Sequence, residues 1–323
     1  MKSTIDLASP VSDSLERVIE LFDAEIRSDL PFVNRLTEQV RRYRGKLLRP
    51  NLLLLSGEAT GRIEHDHLVL AAVVEMVHMA TLVHDDVLDE ADVRRRNVTI
   101  NRMIGNEGAV LLGDYLISHA YHLCSSLGST WASRRVAAVT NIVCEGELMQ
   151  IDNRGNLELT ETEYYEIIRR KTAALTGLCC ELGAAVSGTT ADVVECMTAF
   201  GTELGMAFQI VDDLLDLTGS EAETGKSVGR DADLGKLTLP LIRYLEQADS
   251  TGRAALREIL SSSSTDRSER IRTLIADSNC VEQALDAARA RIQFALDRLA
   301  CLPESTAKAR LIAAAEFVVQ RRV

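Results

Sequence analysis

Residues 65–96 read HDHLVLAAVVEMVHMATLVHDDVLDEADVRRR, and this stretch decides the fold. Within it residues 68–83 are apolar nearly all round, interrupted by Glu75 and His78, which is the pattern of a helix buried inside a bundle. It ends in clustered carboxylates, Asp85, Asp86 and Asp89, followed by clustered guanidiniums, Arg94, Arg95 and Arg96. On a helix Asp85 and Asp89 share a face at a spacing of four, and Asp86 meets Asp89 at three. Like charges so placed repel. Oxygen-only ligands suit a hard cation such as Mg2+, which commonly bridges carboxylates to phosphate oxygens, and arginines donate well to the same oxygens. The competing reading is a solvated helix end of mixed charge.

Residues 204–216, LGMAFQIVDDLLD, repeat the plan: an apolar helical run, two adjacent acids, Asp212 and Asp213, and a third, Asp216, after two apolar residues. With two copies, coincidence becomes the weaker explanation.

Outward from these stretches the chain reads as almost wholly α. It has five prolines in 323 residues, and apolar positions recur at three and four rather than two. The pattern predicts helices near 12–28, 32–43, 47–59, 65–90, 98–104, 108–126, 129–152, 160–188, 190–218, 235–248, 252–262, 266–275, 278–301 and 304–321. A 46% hydrophobic content supports a large core, and no linker separates domains. The expectation is one domain over 1–323: a single large helical bundle with a central apolar cavity, residues 1–11 forming a flexible N-terminus.

A net charge of -12 argues against a nucleic-acid backbone or an anionic membrane surface as the main partner. No signal peptide is recognised, and the most apolar run, 68–83, is shorter than the roughly 18 residues of a membrane span. Seven cysteines without a C-x-x-C pair read as reduced, buried thiols. The expected location is the cytoplasm, with no stable membrane insertion.

Other polar residues stand out against this background. Gly45, Lys46 and Arg49 open a predicted helix, where they suit a second anion or an ordinary helix start. His78 lies two turns before Asp85 on the same face, and a core histidine is the equal alternative. Lys171, Thr172 and Gln209 interrupt apolar helices, and Lys226 and Lys236 lie in and just after the loop of residues 218–235. Buried polar groups need partners, although surface placement is the default for each lysine. Tyr164, Tyr165 and Trp131 read as packing residues, and Arg321-Arg322 as a solvated tail.

Taken together, HMATLVHDDVLDEADVRR, GMAFQIVDDLLD, the Gly-Lys-x-x-Arg element at 45–49 and the closing VVQRR make the chain resemble the trans (E-type) isoprenyl diphosphate synthases, above all their long-chain octaprenyl branch, from about residue 12 to the end. That resemblance implies the isoprenoid synthase fold, a homodimer, and Mg2+ as cofactor, about three ions with substrate bound. It implies condensation of isopentenyl diphosphate with an allylic diphosphate such as farnesyl diphosphate, giving a polyprenyl chain for quinones. Carried over by position, Asp85, Asp86, Asp89, Asp212, Asp213 and Asp216 would hold the metal. Arg94, Lys171, Lys226 and Lys236 would contact the allylic diphosphate. Gly45, Lys46, Arg49, His78 and Arg95 would bind isopentenyl diphosphate, and Thr172 and Gln209 would lie beside the forming carbocation. The chain departs from the family pattern at Arg96-Asn97, where Gly-Lys is common, and at Leu237, where proline is common.

Counting back from Asp85, Thr81, Val77 and Val74 fall near its face, flanked by Ala80 and Met76. In short-chain members bulky aromatics stand four and five residues before the first acid. Here those positions are Thr81 and Ala80, so a tail of about octaprenyl length is expected to pass. The alternatives are a shorter-chain synthase making farnesyl or geranylgeranyl diphosphate, a terpene cyclase, against which the second acid motif speaks, and a non-catalytic partner subunit. A silent subunit is expected to lose metal ligands, and this chain keeps all six aspartates.

Overall fold

The computed structural model describes residues 11–94, 97–219, 229–262 and 267–320. The described chain is all-α, as the periodicity requires, apart from one small ribbon. The elements are α1 (Ser12–Glu25), α2 (Pro31–Arg42), α3 (Leu48–Thr60), α4 (His65–Leu88), β1 (Val93–Arg94), β2 (Asn97–Val98), α5 (Ile100–Ser125), α6 (Thr130–Asp152), α7 (Glu161–Ile168), a π-helical turn (Arg169–Ala173), α8 (Ala174–Val186) and α9 (Ala191–Thr218). There follow α10 (Arg230–Asp233), α11 (Leu239–Gln247), α12 (Ser250–Ser261), α13 (Arg267–Ile275), α14 (Cys280–Arg298), a 3-10 turn (Leu299–Cys301) and α15 (Thr306–Gln320).

The chain forms two compact units. One comprises Met1–Thr140, Leu175–Gly201 and Arg298–Ala314, and the other Asn141–Ala174, Thr202–Asp297 and Ala315–Val323. In the first, α4 packs against α1, α3 and α5. Leu68, Leu70, Met76, Met79 and Val83 of α4 and Leu52 to Leu55 of α3 are at most 1% exposed. Burial of each such side chain contributes about 1.5–3 kcal/mol. By length and composition α4 could cross a membrane, but 78% of its most apolar window is buried inside the protein, as in a core helix. In the second unit Ala207, Ile210, Val211 and Leu214 of α9 are fully buried, as are Ala284 and Ala288 of α14.

The break expected between helices at 98–104 and 108–126 is present at Gly105, whose φ of 79° and ψ of 166° interrupt α5 and are open to glycine without steric cost. The helix boundaries depart from the sequence expectation in three places. The helix expected over 160–188 is broken by the π-helical turn, which carries Lys171 and Thr172. The helix expected from 235 begins at Leu239, after Thr238 and with Pro240 in its first turn, where a missing N–H costs nothing. Residues 93–94 and 97–98 pair as an antiparallel ribbon, Val93 with Val98 and Arg94 with Asn97. Cys144 and Cys301 are exposed rather than buried. Cys179 and Cys180 are core thiols, and burial pushes the pKa of Cys180 up to about 12, which makes it inert.

Candidate active site

In the first unit, Asp86 lies near the C-terminus of α4 and is fully buried. Its Oδ1 accepts from Nε of Arg94 at 2.6 Å, and its Oδ2 accepts from the Tyr43 hydroxyl at 3.0 Å. The Tyr43 oxygen in turn accepts from the Ile100 N–H at 2.8 Å. The backbone carbonyl of Asp86 accepts from Ala91 N at 2.9 Å and Asn101 Nδ2 at 3.2 Å, so the whole residue is fixed. Burial raises the Asp86 pKa, Arg94 and Tyr43 oppose that shift, and Asp89 adds to it. Asp85 and Asp89 are half-buried, Asp89 ending α4.

Gly45 and Lys46 are exposed, just ahead of α3. Leu47, at the start of that helix, is left-handed with φ 51°, and Glu90, directly after Asp89, has φ 49°. Among the described residues these are the two non-glycine residues with positive φ, and each adjoins a motif singled out from the sequence. Strain of this kind costs of order 1–3 kcal/mol and concentrates at functional sites. The Gly-Lys-x-x-Arg element thus enters α3 through a left-handed residue. Nε of Arg49 is buried without a hydrogen-bond partner. Burial lowers the Arg49 pKa, while Cys179, Glu75 and Asp85 act in the opposite sense. His78 is half-buried and its carbonyl accepts from Thr81 Oγ1 at 2.8 Å. Val74, Met76, Val77 and Ala80 are 0% exposed.

In the second unit a line of hydrogen bonds runs through four residues. Thr172 Oγ1 donates to Gln209 Oε1, Gln209 Nε2 donates to Asp213 Oδ1, and the Tyr164 hydroxyl donates to Asp213 Oδ2, each at 2.7 Å. Tyr164 is thus more than the packing residue expected of it. Burial pushes the Asp213 carboxyl up to about 8, the neighbouring Asp231 and Asp212 adding to the shift and Gln209 and Tyr164 opposing it. Asp216 Oδ2 accepts from Asp231 N at 3.0 Å, and the Asp216 carbonyl accepts from Gly229 N at 2.8 Å. Lys171, in the π-helical turn, donates to Gln150 Oε1 at 2.6 Å and pairs with Glu147. A Cβ at Gly146 would stand 2.4 Å from the Lys171 backbone nitrogen, so only glycine admits this turn against α6. Lys236 is 8% exposed rather than a surface residue, its Nζ 3.8 Å from Asp231 Oδ1. Arg95 and Lys226 lie outside the described residues.

Each acid cluster fits a hard divalent cation. The donors are all oxygen, and positive charge at the cluster would offset the crowding of Asp213 by Asp231 and Asp212. Sequence reasoning missed Tyr43, Tyr164, Asp231, Glu147 and Gln150, because each reaches its partner from a distant or unremarkable stretch.

Comparison with known proteins decides what the clusters belong to. A family model described as polyprenyl synthetase matches residues 31–277. The chain belongs to the polyprenyl synthetase family. It is similar to octaprenyl diphosphate synthase of Haemophilus influenzae, with 32% identity over 98% of this chain and 97% of that one. It is similar in structure to a decaprenyl diphosphate synthase from Rhodobacter capsulatus, with a TM-score of 0.92 and 34% identity over 98% of both chains. It also resembles a polyprenyl synthase from Caulobacter crescentus solved with calcium and isoprenyl diphosphate, with a TM-score of 0.94 and 31% identity over 98% of this chain and 97% of that one. The family resemblance and the all-α fold read from the helical periodicity are both borne out, and the chain is a prenyltransferase of the trans-polyprenyl diphosphate synthase kind.

Proposed function

We propose that this family member joins isopentenyl diphosphate head to tail with an allylic diphosphate such as farnesyl diphosphate, and repeats the step to about octaprenyl length. The observation that carries this reading is the retention of all six aspartates, with Asp86 and Asp213 each held by a tyrosine hydroxyl, in a chain that matches the family over 31–277.

Asp85, Asp86 and Asp89 in one unit, and Asp212, Asp213 and Asp216 in the other, hold Mg2+. When bound, the metal supplies Lewis-acid neutralisation of the leaving diphosphate. Arg94, Lys171, Lys226 and Lys236 receive the negative charge of that diphosphate as the allylic C–O bond breaks and its electron pair leaves with oxygen. Gly45, Lys46, Arg49, His78 and Arg95 hold isopentenyl diphosphate; the unpartnered Nε of Arg49 is a donor that a phosphate oxygen would satisfy. The isopentenyl double bond then forms the new C–C bond, and a proton passes to a diphosphate oxygen. The Thr172 hydroxyl and Gln209 amide, fixed by their mutual bond, stand beside the allylic cation as fixed dipoles. The apolar face of α4 with Met76, Val77, Ala80 and Thr81 takes the growing tail and excludes water.

The protein works as a cytoplasmic homodimer without inserting into a membrane. The exposed apolar residues Met103, Val110 and Leu111 of α5, 48%, 41% and 68% exposed, support a partner surface. Asp86→Asn and Asp213→Asn test the metal assignment. Each is expected to lower prenyl transfer by at least about a hundredfold with helical content unchanged, and activity within a few-fold of wild type would remove that acid from the proposed set.

A further inference from the structure

Away from the aspartate motifs, Glu25, the last residue of α1, meets His119 and His122 of α5. One oxygen, Oε1 of Glu25, lies 3.0 Å from Nδ1 of His119 and 2.7 Å from Nδ1 of His122. Among the described residues this is the one group of three or more ligating side chains whose donor atoms all fall within 4.8 Å of one another. Neither aspartate triad closes so tightly. From these three residues we infer a second metal site, specific for a transition dication such as Zn2+ and independent of the prenyl-transfer chemistry.

The donor types favour this ion. Two imidazoles and a carboxylate match zinc and its first-row neighbours, whereas Mg2+ prefers oxygen alone. Tetrahedral ligands at zinc bond lengths stand about 3.3 Å apart, so the observed 2.7 and 3.0 Å contacts need open by only a few tenths of an ångström. His119 and His122 are three apart on one helix and present neighbouring side chains. Each ring would bind the ion through Nδ1 in the tautomer that carries its proton on Nε2. Water completes the fourth position from the solvent side, where the His122 side chain is 77% exposed.

The surroundings hold the triad in place. The Tyr115 ring packs on His119 with centroids 4.3 Å apart, and its hydroxyl donates to the carbonyl of Ile26, next to Glu25, at 3.2 Å. One side chain therefore braces both helices at the site. Electrostatics points the same way: Glu25 sits at the C-terminus of α1 and His122 in the last turn of α5, where both helix dipoles present partial negative charge. A carboxylate there is unfavourable until a cation offsets it. The bound ion would tie the end of α1 to α5.

The test titrates metal-free full-length protein with ZnCl2, and separately with CoCl2, in excess Mg2+. One Zn2+ per chain is expected, with a raised Tm and the intense visible absorption of four-coordinate Co2+. His122→Ala, which removes an exposed side chain, and His119→Gln should each weaken Zn2+ binding by at least about tenfold and abolish the Tm rise and the Co2+ band. His122→Ala should keep wild-type prenyl transfer in Mg2+ and wild-type Tm without zinc. Zinc binding undiminished in both variants would place the ion on the exposed thiols or the aspartates and overturn the proposal. Wild-type protein that takes up no zinc would reduce the triad to a hydrogen-bonded cluster and overturn it equally.

Discussion

Tyr164 donates its hydroxyl to Oδ2 of Asp213 at 2.7 Å, leaving Gln209 to hold the other oxygen of the same buried carboxyl. The two bonds fix the plane of an acid that the second aspartate motif cannot orient by itself. On the proposed assignment of Asp213 to Mg2+, Tyr164 acts on the metal through its ligand, and loss of such a group typically costs 10–100-fold in affinity or activity. Tyr164→Phe should therefore lower turnover by about tenfold to a hundredfold and raise the Mg2+ concentration for half activity. Steady-state assays across a Mg2+ series check this, and an unchanged Mg2+ requirement would leave Tyr164 a packing residue.

Tyr43 plays a matching part beside Asp86, but it also accepts from the Ile100 N–H. Tyr43→Phe strands that buried N–H and removes one donor from Asp86. We expect a stability loss of about 1–3 kcal/mol, measured by urea unfolding, alongside reduced activity. Full stability in the variant would mean that water or another acceptor replaces the hydroxyl.

Ala80 is 0% exposed and lies five residues before Asp85. If the growing tail passes this point, Ala80→Phe closes its path and the product distribution shifts to shorter chains, with stability reduced by no more than about 1–3 kcal/mol of overpacking. Chromatography of the reaction products reads this directly. An unchanged product length would place the tail elsewhere.

His67 is fully buried and ties α4 to α8: its Nδ1 accepts from the Glu64 N–H at 3.0 Å, and its Nε2 lies 3.0 Å from the Gly183 carbonyl. Burial lowers its pKa from the ordinary 6.5. Below that pH the unfolded chain takes up a proton that the folded chain refuses, so His67 stabilises the fold above about pH 6.5 and loses that contribution as pH falls. Relative to His67→Gln, wild-type unfolding free energy should drop by up to about 1.4 kcal/mol per pH unit below 6.5. Parallel pH profiles for the two proteins would contradict a neutral buried His67.

Much of the architecture is legible because α4 is apolar on every face and the motif acids follow at helical spacing, so both the fold class and the aspartates can be read locally. What stayed hidden depends on pairing at a distance. Tyr43 precedes Asp86 by 43 residues and Tyr164 precedes Asp213 by 49, and no local pattern separates such a tyrosine from a core one. The break at Gly105 is legible as a gap between two helical runs, and the late start of α11 carried a signal, Pro240 in a first turn. The π-helical turn at 169–173 carried a fainter one: the small Gly146 against which it packs belongs to another helix.

The proposed function requires that this chain elongate an allylic diphosphate with isopentenyl units in an Mg2+-dependent reaction. Purified protein given labelled isopentenyl diphosphate, farnesyl diphosphate and Mg2+ should form labelled polyprenyl products of about octaprenyl length after dephosphorylation and chromatography, and a chelator should abolish them. Failure to incorporate label from any allylic starter, or consumption of farnesyl diphosphate without isopentenyl diphosphate, would contradict it.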